Sequence, residues 1–371
     1  MLYFDHSATT PIHPNVLSRM QSVSKDHFGN PSSVHRTGRE SRSIIESARR
    51  IIANCIHADP NEIIFTGSGT EANNAVLYSL VNTKKQHVIS TNVEHPAVLK
   101  VLKMLEPLGV TYTALSVDQY GYLNPKKLEA AIQSNTGLIS VMFVNNEVGT
   151  INPIKSLSRI ADLKEIPFHS DTVQALGKMP ISVKDFSADY FSFSAHKFYG
   201  PKGVGFLYKR KGAPLNPFII GGSQESNLRA GTENVPGIAG LAEAVTLATK
   251  NLNSRISHLN QLESTFKSEI DSANLNVVYN GHPEHRVPGL VSVSFIGQRN
   301  DILLAKLDRK DISVSSGSAC GSGSIKPSPV LEAMGISETQ NISTLRISFG
   351  RQNTVEDVKT LVYSIASIIN G

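Results

Sequence analysis

Cysteine is scarce in this sequence, since its 371 residues include only Cys55 and Cys320. Two cysteines cannot build a disulfide framework, and neither a Cys-x-x-Cys pair nor the Cys/His spacing of a metal site occurs, so no metal centre is expected. A run of about 18 apolar residues, which a membrane helix needs, is also missing. The first residues lack a basic and apolar leader. These absences together predict a protein of the reducing cytoplasm, with no membrane span.

Basic charge is present but not concentrated. The net charge is +5, and no basic stripe with interleaved aromatic residues occurs, so direct nucleic-acid binding is not expected. An anionic cofactor and acidic protein partners are compatible with this balance. A hydrophobic content of 40% over 371 residues provides for a large core and predicts two domains.

The order of apolar and polar segments predicts an α/β fold. From about residue 15 to residue 250, short apolar strands alternate with helical segments, which indicates a mostly parallel sheet in a large domain. A long helical region is expected from Ala239 through Leu262, as a bridge to a smaller domain over 251–371. The smaller domain is predicted to be α+β, with antiparallel strands at 277–279, 289–295 and 344–349.

Lys197 stands where a strand is predicted to end. It closes the run Ser194-Ala195-His196-Lys197 and precedes a turn rich in glycine and proline. An amine that forms a Schiff base must be neutral, and burial together with nearby positive charge lowers its pKa toward that state. Taken alone, Lys197 could equally be a solvated loop lysine. Whether Lys197 is reactive or solvated depends on which other cofactor-binding motifs the sequence contains.

A candidate anion cradle follows the predicted strand 62–66. The run Gly67-Ser68-Gly69-Thr70 lets the backbone turn tightly, and Thr70 is predicted to cap the helix whose positive end then faces an anion. An ordinary capped turn between strand and helix is the alternative. The glycine spacing is neither that of a Walker loop nor Gly-x-Gly-x-x-Gly, which disfavours a nucleotide.

Polar side chains follow three further predicted strands. Asp171 ends one strand, and Gln174 is expected on the first turn of a helix after it. Asn146 follows the apolar run 138–144, and His95 follows the strand around 87–90. The carboxyl ends of parallel strands face the ligand crevice of an open sheet. Helix capping by Asp171 and a structural role for His95 are the alternatives. An amine, a phosphate cradle and a carboxylate for a ring nitrogen are the parts that pyridoxal 5'-phosphate (PLP) requires.

The two cysteines have contrasting surroundings. Cys320 lies in a small, polar, glycine-rich stretch over 314–324, which predicts a mobile loop, and an accessible free thiol there is a candidate nucleophile. An incidental surface cysteine is the alternative. Cys55 lies in the apolar segment 51–56 and is predicted to be a buried packing residue.

With these motifs, the chain resembles the PLP-dependent cysteine desulfurases along essentially its whole length, and within them the subgroup that serves iron–sulfur cluster assembly. The lysine run and the cysteine run 315–320 are the most specific motifs. The others occur in the family's order at 5–10, 30–33, 69–71, 94–95, 145–149, 171–174 and 229–232. The resemblance implies the PLP-transferase type I fold, with residues 1–14 joining the small domain. Ser7 stands where alanine is usual.

The resemblance also implies a role for each site residue. Lys197 would hold the cofactor as a Schiff base and move protons, while Asp171 would pair with its ring nitrogen. Gln174 would donate to its phenolic oxygen, and His95 would stack on the ring. Asn146 would lie near that oxygen and the substrate. The phosphate would be held by Gly69, Thr70, Ser194 and His196.

Three further residues complete the implied chemistry. Thr232 would reach the phosphate in the other subunit's site, so a homodimer is expected, and Arg346 would bind the substrate carboxylate. Cys320 would take sulfur from L-cysteine as a persulfide, release alanine and pass the sulfur to an acceptor protein such as an iron–sulfur scaffold. A selenocysteine lyase or another class V aminotransferase-like enzyme is the alternative. A sulfur-carrier subunit with poor turnover and a nucleotide-binding α/β protein are less favoured.

Overall fold

The computed structural model describes residues 1–317 and 326–371. Its strands are β1 (Leu2–Tyr3), β2 (Ile63–Thr66), β3 (His87–Thr91), β4 (Thr111–Leu115), β5 (Thr136–Ser140), β6 (Phe168–Asp171), β7 (Tyr190–Ser194), β8 (Gly205–Lys209), β9 (Val277–Asn280), β10 (Leu290–Phe295), β11 (Ile312–Ser313) and β12 (Thr344–Ser348). Its α-helices are α1 (Pro14–Asp26), α2 (Arg36–Ile56), α3 (Gly69–Tyr78), α4 (Pro96–Leu105), α5 (Pro125–Ala131), α6 (Ile154–Leu163), α7 (Val235–Lys250), α8 (Leu252–Ser272), α9 (Asn300–Asp308), α10 (Pro329–Ala333), α11 (Glu338–Asn341) and α12 (Val355–Asn370). Short 3-10 turns occur at Pro60–Glu62, Glu106–Leu108, Val183–Asp185, Ala195–Lys197 and Gln224–Asn227.

A large sheet of seven strands has the order β2-β8-β7-β6-β5-β3-β4. The neighbours from β7 to β4 are parallel, whereas β8 runs antiparallel to both β2 and β7. The strands β3, β6 and β7 are buried along their whole length, as expected when helices cover both faces of a sheet. The predicted α/β fold with a mostly parallel sheet is confirmed.

Each face of the large sheet has its own hydrophobic cluster. Phe191 and Phe193 of β7 pack on one face with residues of α1, α2 and α7. Tyr190, which points to the other face because side chains alternate along a strand, packs with residues of α3 and α4. This layering leaves the carboxyl ends of the parallel strands as the open edge of the sheet.

A smaller antiparallel sheet, in the order β12-β10-β9, packs against α8 and α12. The N-terminal residues belong to this cluster, because β1 pairs in parallel with β11 and Phe4 is completely buried in it. Asp5 forms a further bridge to Ser348 at the end of β12. The antiparallel strands predicted after residue 270 are therefore confirmed, while the domain boundaries 15–250, 1–14 and 251–371 stay a prediction.

One predicted helical region is divided in two, and one predicted strand is shorter than expected. The long helical region expected from Ala239 through Leu262 consists of two helices, because Asn251 between α7 and α8 has the non-helical angles φ −122° and ψ 35°. Asparagine favours such breaks because its side chain competes for backbone hydrogen bonds. The strand expected over 138–144 ends at Ser140. Beyond it, the N–H groups of Val141 and Phe143 still donate to β6, but the Met142 N–H donates to the Glu94 carboxylate at 2.9 Å.

In the described part of the chain, none of the helices combines the length and the apolar composition that a membrane span requires.

Candidate active site

A cavity of about 540 Å³ opens at the carboxyl ends of the parallel strands. Arg346 of β12 in the small sheet also lines it. Ten of the predicted site residues line this one cavity: Gly69, Thr70, His95, Asn146, Asp171, Gln174, Ser194, His196, Lys197 and Arg346. Their convergence depends on the parallel sheet, because their strands and loops lie far apart in the sequence.

Lys197 ends the 3-10 turn that follows β7. Its Nζ donates to the carbonyl oxygens of Ser7 at 2.7 Å and of Ala8 at 2.8 Å, so the N-terminal segment holds the amine in place. Burial, reinforced by the positive charge of Arg346, lowers the pKa of Lys197 to about 8. A solvated loop lysine does not have these contacts. Because its pKa is lowered, the Lys197 amine loses its proton near neutral pH far more readily than the amine of an exposed lysine.

Asp171 ends β6 with a side chain that is only 7% exposed. Its Oδ2 accepts a hydrogen bond from the Asn73 side-chain amide at 2.7 Å, and its Oδ1 accepts one from the Val173 backbone N–H at 3.1 Å. The carboxylate is therefore fixed at the cavity wall by donors on two elements. A buried carboxylate held in this way can pair with a cationic ring nitrogen.

The prediction of a helix at Gln174 is wrong, because a turn follows β6. The Asp171 side chain accepts from Val173 in that turn, which favours a local bend over a helix start. Gln174 is buried, and its Nε2 donates to the Ser7 carbonyl oxygen at 2.9 Å. Its amide therefore lies against the same carbonyl group that accepts from Lys197.

The anion cradle forms as predicted except for its cap. Ser68, and not Thr70, caps α3, since the Ser68 Oγ accepts from the Glu71 N–H at 3.2 Å. The backbone approaches β7 so closely at Gly69 that a Cβ there would lie 2.4 Å from a Val173 methyl carbon and 3.5 Å from the Ser194 Cβ. The positive end of α3 therefore faces Ser194 and the cavity, which is a setting for a phosphate.

Burial lowers the pKa of both cavity histidines, which favours their neutral forms. His95 caps α4 by accepting the Ala97 N–H on Nδ1 at 3.1 Å, so its ring proton resides on Nε2. Burial lowers the pKa of His95, although Asp171 opposes the shift. The pKa of His196 is lowered to about 4 by burial and by the charges of Lys197 and Lys202. Neutral rings add no positive charge beside the reactive lysine.

Arg346 is 4% exposed, so it is not a surface arginine. Its Nη2 donates to Asp5 Oδ1 at 2.7 Å, and its Nη1 donates to the backbone oxygen of Asn146 at 3.1 Å. Its Nε is buried and has no hydrogen-bond partner among residues 1–317 and 326–371. A buried guanidinium with an unused donor is suited to bind a carboxylate.

Two predicted site residues are not brought into this cavity. Thr232 is exposed and lines a separate cavity of about 90 Å³ together with Gly67 and Arg229. Cys320 lies outside the described residues, as does most of the loop predicted around it. The other cysteine, Cys55, is only partly buried in α2 and not completely buried as predicted, but it does pack against the main hydrophobic cluster.

Sequence reasoning missed several residues that shape the site. Asn73, on the buried side of α3, holds Asp171, and Asp5 pairs with Arg346. Glu94 is completely enclosed, and burial raises the pKa of its carboxyl to about 8 even though it accepts from Met142 and Thr91. The resemblance had already drawn attention to the motifs around Asp5 and Glu94, but a polar residue in a helix such as Asn73 gives no local signal.

No group of three or more metal-binding side chains comes together in residues 1–317 and 326–371.

Comparisons with known proteins identify the family of this chain. The aminotransferase class-V family model matches residues 2–361. The cysteine desulfurase IscS of Dictyoglomus turgidum is 43% identical over 371 residues, which cover 99% of this chain and 94% of that protein. A solved NifS-like protein has a TM-score of 0.94 at 37% identity, covering 100% of this chain and 99% of its own. The structure of SspA in complex with cysteine has a TM-score of 0.84 at 35% identity, and the match covers 94% of this chain and 99% of that chain. The chain therefore belongs to the aminotransferase class-V family and, within it, to the cysteine desulfurases.

Proposed function

We propose that this enzyme uses PLP, bound at Lys197, to convert L-cysteine to L-alanine and to transfer the sulfur to Cys320 and then to an acceptor protein. The observation that carries the proposal is the position of the Lys197 amine in one cavity with Asp171 and the N-terminus of α3. A cytoplasmic location and supply of sulfur for iron–sulfur clusters remain part of the proposal.

The residues present fit PLP group by group. The N-terminus of α3, Ser194 and His196 offer donors for a phosphate, and at Gly69 the backbone packs too closely for any side chain. The lysine amine suits an aldehyde, and Asp171 suits a protonated ring nitrogen. When bound, the cofactor supplies an electron sink that weakens bonds at the substrate.

Proton transfer at the substrate α-carbon is assigned to Lys197. Its pKa of about 8 lets the same amine accept and return a proton near neutral pH. His95, with its proton on Nε2, lies in the same cavity and provides a flat partner for an aromatic ring. Arg346 would orient the substrate by its carboxylate, using the Nε that none of the described residues engages.

The sulfur step assigned to Cys320 balances without an external oxidant. The thiolate attacks the substrate sulfur, a sulfur–sulfur bond forms, and the carbon–sulfur bond breaks. The electron pair and a proton go to the substrate β-carbon, so L-cysteine and the Cys320 thiol become L-alanine and a Cys320 persulfide. A thiolate is the required form of this nucleophile.

A homodimer is proposed because Thr232 faces away from the cavity of its own chain. The Arg229 Nε donates to Glu71 Oε1 at 2.9 Å, which holds the segment 229–232 against the first turn of α3. Thr232 is thus exposed close to the phosphate cradle but outside it. A second subunit could receive this hydroxyl in its own cradle.

The reaction is tested by product analysis with L-cysteine and a thiol reductant. The proposal predicts equal amounts of L-alanine and sulfide, with both lost in Lys197→Ala. Formation of pyruvate and ammonia in place of L-alanine would mean that the enzyme eliminates sulfide and has no use for a protein thiol.

A further inference from the structure

Lys178 is a half-buried lysine without an acidic partner in the described part of the chain. Its ammonium donates to the side-chain oxygen of Gln174. Burial and the positive charges of Lys197 and Arg346 lower the pKa of Lys178 to about 7. Holding a positive charge at this position is costly, because the Gln174 oxygen replaces only part of the lost hydration. Residues with strongly shifted pKa values cluster at functional sites, and none of the steps described above uses Lys178.

The contact between Lys178 and Gln174 fixes the orientation of an amide. In its charged form Lys178 has donors only, so the amide turns its oxygen toward Lys178 and its NH₂ group the opposite way. One N–H of that NH₂ group donates to the Ser7 carbonyl oxygen at 2.9 Å. The second N–H remains for a ligand in the cavity, which Gln174 lines.

The same carbonyl group connects Gln174 to the reactive amine. The Ser7 oxygen accepts from Gln174 Nε2 and from Lys197 Nζ, the latter at 2.7 Å. If the amide were reversed, its oxygen would face the Ser7 oxygen, and two acceptors would repel each other. The contacts therefore form one line from Lys178 through Gln174 and Ser7 to Lys197.

We propose that Lys178 is a positioning residue that holds the Gln174 amide with its NH₂ group toward the cavity, so that the site offers a hydrogen-bond donor to a ligand oxygen beside Lys197. This inference rests on the proposed function, in which that oxygen is the phenolic oxygen of PLP. Lys178 itself contacts neither cofactor nor substrate and acts through Gln174.

The proposal is tested by titrating apoprotein with PLP and recording the absorbance. Lys178→Met removes the donor at similar length and should weaken PLP binding about tenfold, which corresponds to about 1.4 kcal/mol. It should also shift the pH midpoint of the visible band of bound PLP, since the phenolic oxygen loses a donor. Lys178→Gln can still donate an N–H to Gln174 and should restore binding to within about threefold of wild type.

A double-mutant cycle separates positioning from general structural damage. In a Gln174→Ala background, Lys178→Met should change PLP affinity by less than about twofold, because the amide that it positions is gone. Thermal unfolding of each apoprotein reports on folding, and Lys178→Leu replaces Lys178→Met if the latter does not fold. Lys184→Met, at an exposed lysine of the same segment, is the matched control.

The proposal would be overturned if Lys178→Met left the PLP affinity unchanged. It would also be overturned if Lys178→Met lowered that affinity equally in the wild-type and the Gln174→Ala backgrounds, or if Lys178→Gln did not restore it. Failure of the proposed function is a different result, because wild-type protein would then not bind PLP at all.

Discussion

Asn73 donates its side-chain amide to Asp171 Oδ2 at 2.7 Å, in a pair of residues that are 1% and 7% exposed. The bond joins the inner side of α3 to the end of β6, and it fixes the carboxylate that is proposed to pair with the ring nitrogen of PLP. Both side chains are almost completely buried, so the orientation of Asp171 depends directly on Asn73.

Asn73→Ala should therefore weaken PLP binding. A hydrogen bond to a buried carboxylate contributes roughly 1–2 kcal/mol, which corresponds to about a 5- to 30-fold loss of affinity. The measurement is an absorbance titration of apoprotein with PLP. The control is Asn74→Ala, one position along the helix, whose amide donates only to the Thr70 backbone oxygen at 2.8 Å. Equal affinities for the two variants would contradict the assigned role of Asn73.

The rate at which apoprotein captures PLP should depend on pH through Lys197. Only the neutral amine attacks an aldehyde, so the rate should rise about tenfold per pH unit at low pH and level off near pH 8, where Lys197 loses its proton. A lysine with an ordinary pKa would continue to gain rate up to about pH 10. Stopped-flow absorbance across this range gives the midpoint.

Arg346→Gln should move that midpoint to higher pH. The arginine lowers the pKa of Lys197, and Asp5, which would lose its partner, raises it, so both changes act in the same direction. Arg299→Gln, at an exposed arginine whose partner is Asp301, is the control and should leave the midpoint unchanged. A midpoint that does not respond to Arg346→Gln would show that the arginine does not set the pKa.

The strand-end residues could be predicted from the sequence because of the sheet. Hydrophobic runs followed by polar residues identify strand ends, and parallel strands bring those ends to one edge, so Lys197, Asp171 and His95 were found together. Side-chain contacts that form only when distant segments pack together leave no such pattern in the sequence. Asn73 is a single polar residue in a helix, and the pairing of Asp5 with Arg346 joins positions 341 residues apart.

The local errors have physical causes of the same kind. The residues around Gln174 are compatible with a helix and with a turn, and the sequence pattern favoured the helix. The hydrogen bond from the Val173 N–H to the Asp171 side chain stabilises the turn. Threonine and serine both cap helices, so the residue type alone did not exclude Thr70. The cap is Ser68 because α3 begins at the next residue, Gly69.

The two cysteines should respond differently to replacement by serine. Cys320→Ser should bind PLP but release no L-alanine at a useful rate, because a hydroxyl has a much higher pKa than a thiol and is a poor nucleophile toward sulfur. Cys55→Ser should keep the activity with a small loss of stability, since Cys55 packs against the main cluster and accepts from the Thr249 hydroxyl at 3.6 Å. L-alanine and sulfide are measured for both. An active Cys320→Ser would remove the thiol from the mechanism.

Mixed dimers test whether Thr232 serves the neighbouring site. Lys197→Ala and Thr232→Ala should each form inactive or weakly active homodimers. After the two variants are unfolded and refolded together, random pairing gives half mixed dimers with one complete site each, so activity should return to about a quarter of wild type. If Thr232 acts within its own chain, no mixed dimer contains a complete site and no activity returns. Sedimentation of the wild-type protein checks that it is a dimer.

The most direct test of the site is to locate the lysine that carries the cofactor. Wild-type protein is saturated with PLP, reduced with borohydride, digested and mapped by mass spectrometry. The account predicts one phosphopyridoxyl group per chain, on the peptide that contains Lys197, and none on Lys178, whose amine is held by Gln174. The group on Lys178, or on no lysine of the cavity, would contradict the assignment of Lys197 as the residue that binds PLP.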